Sequence, residues 1–187
     1  CAVYLAGNIN SHEAQAEAIK PIVRRYLEKG DVDNAAHFSD VVNDSFFRNQ
    51  LLVAVIEKCV ELNDDEYAFQ LVEAIDDYGL QATARETIAE QEAIRGDFEK
   101  ATEIAENLEH SSNAFATIAV NQAKKGLEPE ALQTLTKIEY DKAIVGALET
   151  IATHFLEQKQ PEKALGYLEK AFEEADSIEF TEDRVAS

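Results

Sequence analysis

The chain has 187 residues and 45% hydrophobic content, enough to bury a substantial core; it holds no Trp, three Pro and seven Gly, and its many Ala, Glu and Leu favour helix over sheet. Seventeen Lys and Arg against thirty-seven Asp and Glu leave a formal charge of −20, which repels phosphate backbones and anionic headgroups and disfavours a nucleic-acid or membrane-surface role. No apolar run is long enough to span a bilayer, and Cys1 and Cys59 make no disulfide framework, so a cytoplasmic or other reducing soluble compartment is expected, with acylation of Cys1 in a mature lipoprotein as the alternative.

Taken from the start, Ala2, Ala6 and Ile9 match positions that recur later, and residues 1–9 read as the second helix of an incomplete repeat, the chain being a piece or processed product of something longer. The register rests on one alanine. Ala35, Ala68, Ala101, Ala131 and Ala164 are spaced by 33, 33, 30 and 33 residues, and each lies five residues after Gly30, Asn63, Gly96, Gly126 or Lys159. Glycine and asparagine adopt the left-handed conformation that ends a helix, so four of the five stops have a mechanism.

Before each stop runs an apolar stripe at helical spacing: Ile19, Ile22, Val23, Tyr26 and Leu27; then Leu52, Val55, Ile56, Cys59 and Val60; then Ile88, Ala89 and Ala93. Phe115, Ile118, Ala119 and Ala123 form the fourth, and Leu148, Ile151, Ala152, Phe155 and Leu156 the fifth. After each alanine the second helix repeats the apolar pattern, with Phe38 and Val42, Val72 and Ile75, Ala105 and Leu108, Leu135 and Ile138, and Leu168 and Ala171 facing inward. Asp33, Asp64 and Asp97 are expected to cap second helices, and Ser11, Ser45, Ser112 and Asp141 to precede first helices; Pro129 and Pro161 suit first-turn positions. The 30-residue interval predicts a tighter turn at Glu109-His110-Ser111-Ser112. Residues 177–187 read as a capping helix or an acidic tail.

Ile118-Ala119, Gly126, Ala131, Leu135 and Ile138, with Ile151-Ala152, Phe155, Ala164, Leu168 and Ala171, resemble the tetratricopeptide repeat. The early aromatic of that repeat is missing or is replaced by Leu52, Arg85, Phe115 or Leu148, and its closing proline is absent. The resemblance implies an all-α, right-handed α-solenoid of stacked antiparallel helix pairs, with five units over residues 10–176 near 16–43, 49–76, 82–109, 112–139 and 145–172.

Chemistry is not indicated. His12, His37, His110 and His154 fall in different units without metal-ligand spacing, Asp64-Asp65-Glu66 and Asp76-Asp77 lack the glycine and ligand spacing of a calcium loop, and no phosphate loop or activated nucleophile is visible. No enzyme activity, cofactor or metal is expected. By the resemblance, first helices line a concave face, to which Lys20 and Arg24 bring a basic patch, Glu57, Glu61, Glu86 and Glu90 an acidic strip, and Gln50 and Asn113 polar contacts; Glu149, Thr153 and Glu157 would close it. The expected function is a non-catalytic scaffold or adaptor holding a basic or amphipathic segment of a partner protein there, without nucleic acid or membrane insertion; the alternative is a structural, self-associating spacer of a larger protein.

Overall fold

The computed structural model describes residues 11–185, with side chains to Asp176. Among the described residues it is all-helical. Ten helices form five pairs: α1 (His12–Glu28) with α2 (Val32–Ser39), α3 (Ser45–Glu61) with α4 (Asp65–Glu73), α5 (Tyr78–Arg95) with α6 (Phe98–Glu106), α7 (Ser112–Lys124) with α8 (Glu128–Leu135), and α9 (Asp141–Glu157) with α10 (Pro161–Val185). The expected helix at 1–9 lies outside the described residues, whereas α10 continues as one helix through Val185. The chain divides into two compact units, Cys1–Ile88 and Ala89–Ser187, with the division falling inside α5. In the first, α3 lies against α1 and α2; in the second, α7 lies against α6 and α9.

All five first helices stop in the same way. Gly30, Asn63, Gly96, Gly126 and Lys159 have φ of 72°, 60°, 102°, 81° and 58°. In the first stop the Asp31 N–H donates to Tyr26 O and the Gly30 N–H to Leu27 O, and the same two bonds recur from Asp64 and Asn63, Asp97 and Gly96, Leu127 and Gly126, and Gln160 and Lys159. Each is a Schellman motif, which satisfies carbonyls orphaned at the helix end. Lys159 therefore takes the left-handed turn without the side chain that favours it.

The caps correct the sequence reading at several ends. Asp64 and Asp97 do cap α4 and α6, with Oδ1 accepting from the Tyr67 and Lys100 N–H, but α2 is capped by Asp31, which accepts from the Asn34 N–H, not by Asp33. Asp44, not Ser45, caps α3, since its longer side chain reaches the Phe46 and Phe47 N–H groups at 3.0 and 3.3 Å. Ser11 caps α1 as expected. Asp77 accepts from the Leu80 N–H at the start of α5. Ser111 and Tyr140 occupy the cap positions expected for Ser112 and Asp141, neither with a side-chain cap bond; the Ser112 hydroxyl instead accepts from the Tyr140 N–H at 3.2 Å. Nor is the 109–112 turn the short one. The missing residues come out of α7, which has 13 residues where α1, α3 and α9 have 17, a deletion of about one helical turn.

The five aligned alanines, Ala35, Ala68, Ala101, Ala131 and Ala164, are each 0% exposed, because the two helices of a pair cross there at a distance only a small side chain allows. On the facing first helices the first unit carries Val23 and Ile56 and the second Ala89, Ala119 and Ala152, all buried. A second repeated contact varies in chemistry. Three residues after each of those positions stand Tyr26, Cys59, Glu92, Gln122 and Phe155, opposite Phe38, Leu71, Ile104, Thr134 and Tyr167 of the paired helix. Tyr26 stacks on Phe38 and Phe155 on Tyr167, with ring centroids 5.2 and 5.4 Å apart, while the Thr134 hydroxyl donates to Gln122 Oε1 at 2.7 Å. Glu92 faces an isoleucine that offers no donor, and its buried carboxylate accepts instead from Lys100 Nζ at 2.6 Å and Arg95 Nη1 at 3.4 Å.

Polar first-helix side chains also hold the loops between pairs. Buried Gln15 donates to Val41 O and accepts from the Asn43 N–H, and Gln81 donates to Ile75 O. Salt bridges span neighbouring pairs within each unit, Arg85 to Glu73 in the first and Lys137 to Glu106 and Lys163 to Glu128 in the second, while Arg48 of α3 holds Asp76 in the loop after α4.

Candidate peptide-binding grooves

Consecutive first helices leave a groove between them, and each unit has one. Groove one, about 390 Å³, lies between α1 and α3 and is lined by Glu17, Lys20, Val23, Arg24 and Leu27 with Phe47, Gln50, Leu51 and Ala54. Groove two, about 610 Å³, lies between α7 and α9, with Asn113, Ala116, Thr117 and Val120 facing Ala143, Gly146, Ala147 and Thr150, and Ile94 at one edge. Shifted by the repeat, the two linings share seven positions: Glu17 with Asn113, Lys20 with Ala116, Arg24 with Val120, Phe47 with Ala143, Gln50 with Gly146, Leu51 with Ala147 and Ala54 with Thr150.

Of the expected site residues, Lys20, Arg24 and Gln50 meet in groove one and Asn113 lies in groove two. The basic patch is partly neutralised by its own helix, for Lys20 Nζ lies 3.9 Å from Glu17 and Arg24 Nε donates to Glu28 at 3.2 Å. Glu57 and Glu61 are exposed on α3, and Glu61 accepts from Lys58 at 2.7 Å. On α5, half-buried Glu86 holds one carboxylate oxygen buried without a hydrogen-bond partner, and Glu90 accepts from the Thr117 hydroxyl at 3.4 Å. Glu149, Thr153 and Glu157 do not line groove two; the face of α9 that does so is offset and carries small residues.

Sequence reasoning missed Phe47, Leu51 and Ala54, the apolar wall of groove one. The usable signal was their spacing of 3 and 4 on the face of α3 next to Gln50.

The remaining reactive groups have structural surroundings. The Cys59 thiol is fully buried, and that burial, followed by the nearby Asp64 and Asp33 charges, pushes its pKa from about 9 to about 12. Burial likewise raises Tyr67 and Tyr167. Asp64 and Asp77 serve as caps and Asp76 pairs with Arg48, so each acidic cluster includes a helix cap. Among the described residues no three His, Cys, Asp or Glu side chains converge as a metal site, and no helix is long and apolar enough to cross a membrane.

No family model matches the chain, nor does any of the curated proteins compared with it. Among solved structures it is similar to a Podosopora anserina protein described as a kinesin light chain with nearly identical TPR-like repeats, at 13% identity and a TM-score of 0.46, covering 91% of this chain and 99% of that one. A variant of the same protein is similar at 15% identity and a TM-score of 0.45, with the same coverage. These likenesses are too distant to carry function. What makes the helix pairs tetratricopeptide-like is their own helix-turn-helix, repeated five times around one buried alanine and one left-handed stop.

Proposed function

We propose that this chain is a non-catalytic protein-binding scaffold, and that groove one receives an amphipathic segment of a partner. The observation that supports this is the groove's lining. Val23, Leu27, Phe47, Leu51 and Ala54 give it an apolar floor and wall, and Lys20, Arg24, Glu17 and Gln50 rim it with polar groups that fix orientation. Because Lys20 and Arg24 already face Glu17 and Glu28, the apolar anchor contributes more to affinity than net charge does. Exposed Glu57 and Glu61, on the same helix as Phe47 and Gln50, add a preference for basic residues at one end of that segment.

A photo-crosslinking amino acid placed at Gln50 tests this in native lysate, with the same group at exposed Glu130 as the control. Crosslinks specific to position 50 and lost on Phe47→Asp are the expected result. Reversing Glu57 and Glu61 to Lys should weaken capture by a smaller factor. Identical capture from both positions, or capture indifferent to Phe47→Asp, would move the binding surface elsewhere.

A further inference from the structure

Groove two differs from groove one in charge as well as in width. Both cations of groove one are held by acids of their own helix, Lys20 by Glu17 and Arg24 by Glu28. The cation that lines groove two, Lys124, is exposed at the C-terminal end of α7 and holds no ion pair among the described residues. Shifted by the repeat, Lys124 stands where Glu28 stands on α1, so one position carries opposite charge in the two units. The other end of groove two is acidic, because Asn113, which opens it, also borders a cleft of about 350 Å³ lined by exposed Glu109 and Glu139. Asn113, Thr117, Val120 and Lys124, spaced by 4, 3 and 4, share one face of α7, and the distance from first to last along the helix is about 16 Å.

Between these ends the lining offers partners to a peptide backbone. The Asn113 side chain makes no hydrogen bond among the described residues. Asn121 Nδ2 donates to Thr117 O at 2.8 Å and the Thr150 hydroxyl to Gly146 O at 2.7 Å, which leaves Asn121 Oδ1 and Thr150 Oγ1 as acceptors. On the α9 side Ala143, Gly146 and Ala147 are small enough for a main chain to approach. A bound helix satisfies its own N–H and C=O groups and would leave these partners unused, whereas an extended segment needs them, and about five extended residues cover 16 Å.

We propose that groove two binds an extended segment of another protein, about five residues long, with a basic residue at the Asn113 end, an aspartate or glutamate at the Lys124 end and apolar side chains between. Ile94, Ala116 and Val120 supply the apolar contact. The dipole of α7 runs against this order, with about half a positive charge near Asn113 and about half a negative charge near Lys124. The Schellman stop already bonds carbonyls of that last turn, and whole side-chain charges outweigh half charges at similar distance. The site lies apart from groove one and does not depend on the reading given to it.

The probes are three acetylated, amidated pentapeptides with Ala-Leu-Ala between their ends: lysine at one end and glutamate at the other, lysine at both, and glutamate at both. Each is titrated into isotope-labelled protein, and binding is read by nuclear magnetic resonance from the side-chain amides of Asn113 and Asn121, assigned with Asn113→Ala and Asn121→Ala. A net charge of −20 acting alone would rank the double-lysine peptide first. On wild type the mixed peptide should instead bind most tightly. Lys124→Glu should weaken the mixed peptide by about three- to tenfold and bring the double-lysine peptide to first place, and Glu109→Lys/Glu139→Lys should do the same for the double-glutamate peptide. The substituted residues are exposed, so these variants should keep their helical circular dichroism, and Phe47→Asp in groove one should leave all three affinities unchanged. The proposal is overturned if neither amide shifts at millimolar peptide, if the double-lysine peptide ranks first on wild type, or if Lys124→Glu leaves the ranking as it was.

Discussion

Groove one and groove two occupy the same place in the repeat and share no lining residue. Where the first has Lys20, Arg24, Phe47, Gln50 and Leu51, the second has Ala116, Val120, Ala143, Gly146 and Ala147, and the volume rises from about 390 to about 610 Å³ as the side chains shrink. The cores behind them differ in the same sense, Val23 and Ile56 at the helix crossing in the first unit, Ala89, Ala119 and Ala152 in the second. The backbone devices do not change: a buried alanine and a Schellman stop recur in both. Packing positions thus fix the helix pair, and groove positions, which bear little of the core, are free to set what is bound.

The largest contrast is chemical and sits at one register position, Cys59 in the first unit and Glu92 in the second. A thiol held near pKa 12 rather than 9 has about a thousandfold less thiolate at pH 8, so alkylation of native Cys59 should be slower than that of the unfolded chain by at least this factor. The linkage has a definite sign. Folding keeps the thiol protonated, so its contribution to stability is complete below pH 9 and is lost as pH rises from about 9 to about 12. Urea unfolding of wild type and Cys59→Ala across that window should show the extra alkaline slope in wild type alone.

Next come the crossings. Ile56→Ala should cost about 2–5 kcal/mol by opening a cavity, and Ala119→Ile about 1–3 kcal/mol by overpacking, both read from denaturant midpoints. A neutral Ala119→Ile would mean that the second unit's helices are no closer than the first's, and the contrast between the cores would fail. Glu92→Gln should cost about 1–3 kcal/mol, because it leaves Lys100 and Arg95 without their buried carboxylate partner. Glu92→Phe with Ile104→Tyr, which copies the stacked Phe155–Tyr167 pair, should recover most of that loss.

Much of this fold was legible because one period governs it. The alanine register placed five pairs, and the residues five before each alanine marked every stop, Lys159 included, although nothing in lysine's propensity would end a helix there. What escaped was set by side-chain reach and tertiary cover. Asp31 and Asp44 cap where Asp33 and Ser45 were expected, because a carboxylate one or two residues earlier reaches the same N–H groups. The deletion was assigned to a turn because periodicity counts residues without saying which element loses them. Leu168 and Leu156 read as core from their spacing, yet are 42% and 53% exposed, since spacing marks a face of a helix without recording what packs against it. Groove residues were legible as a face, as Lys20, Arg24, Gln50 and Asn113 show, and the pairing of Lys20 with Glu17 and Arg24 with Glu28 follows helix spacings of 3 and 4.

The smallest effect tests the left-handed stop itself, at two of its five copies. Lys159 pays the left-handed φ of 58° with an ordinary side chain, whereas Gly126 reaches 81° without a Cβ. Lys159→Gly should therefore stabilise the protein by about 0.5–1 kcal/mol, the relief of strain being offset in part by the greater freedom of glycine in the unfolded chain. Gly126→Ala should destabilise it by a similar amount, and it is the clean reciprocal because an added Cβ at Gly126 meets nothing within 4 Å, while one at Gly96 would lie 3.3 Å from Lys125 Nζ. In a chain of this size each change should move the melting temperature by about 1–4 °C, in opposite directions. Equal signs would show that the fifth stop differs from the fourth in more than its residue.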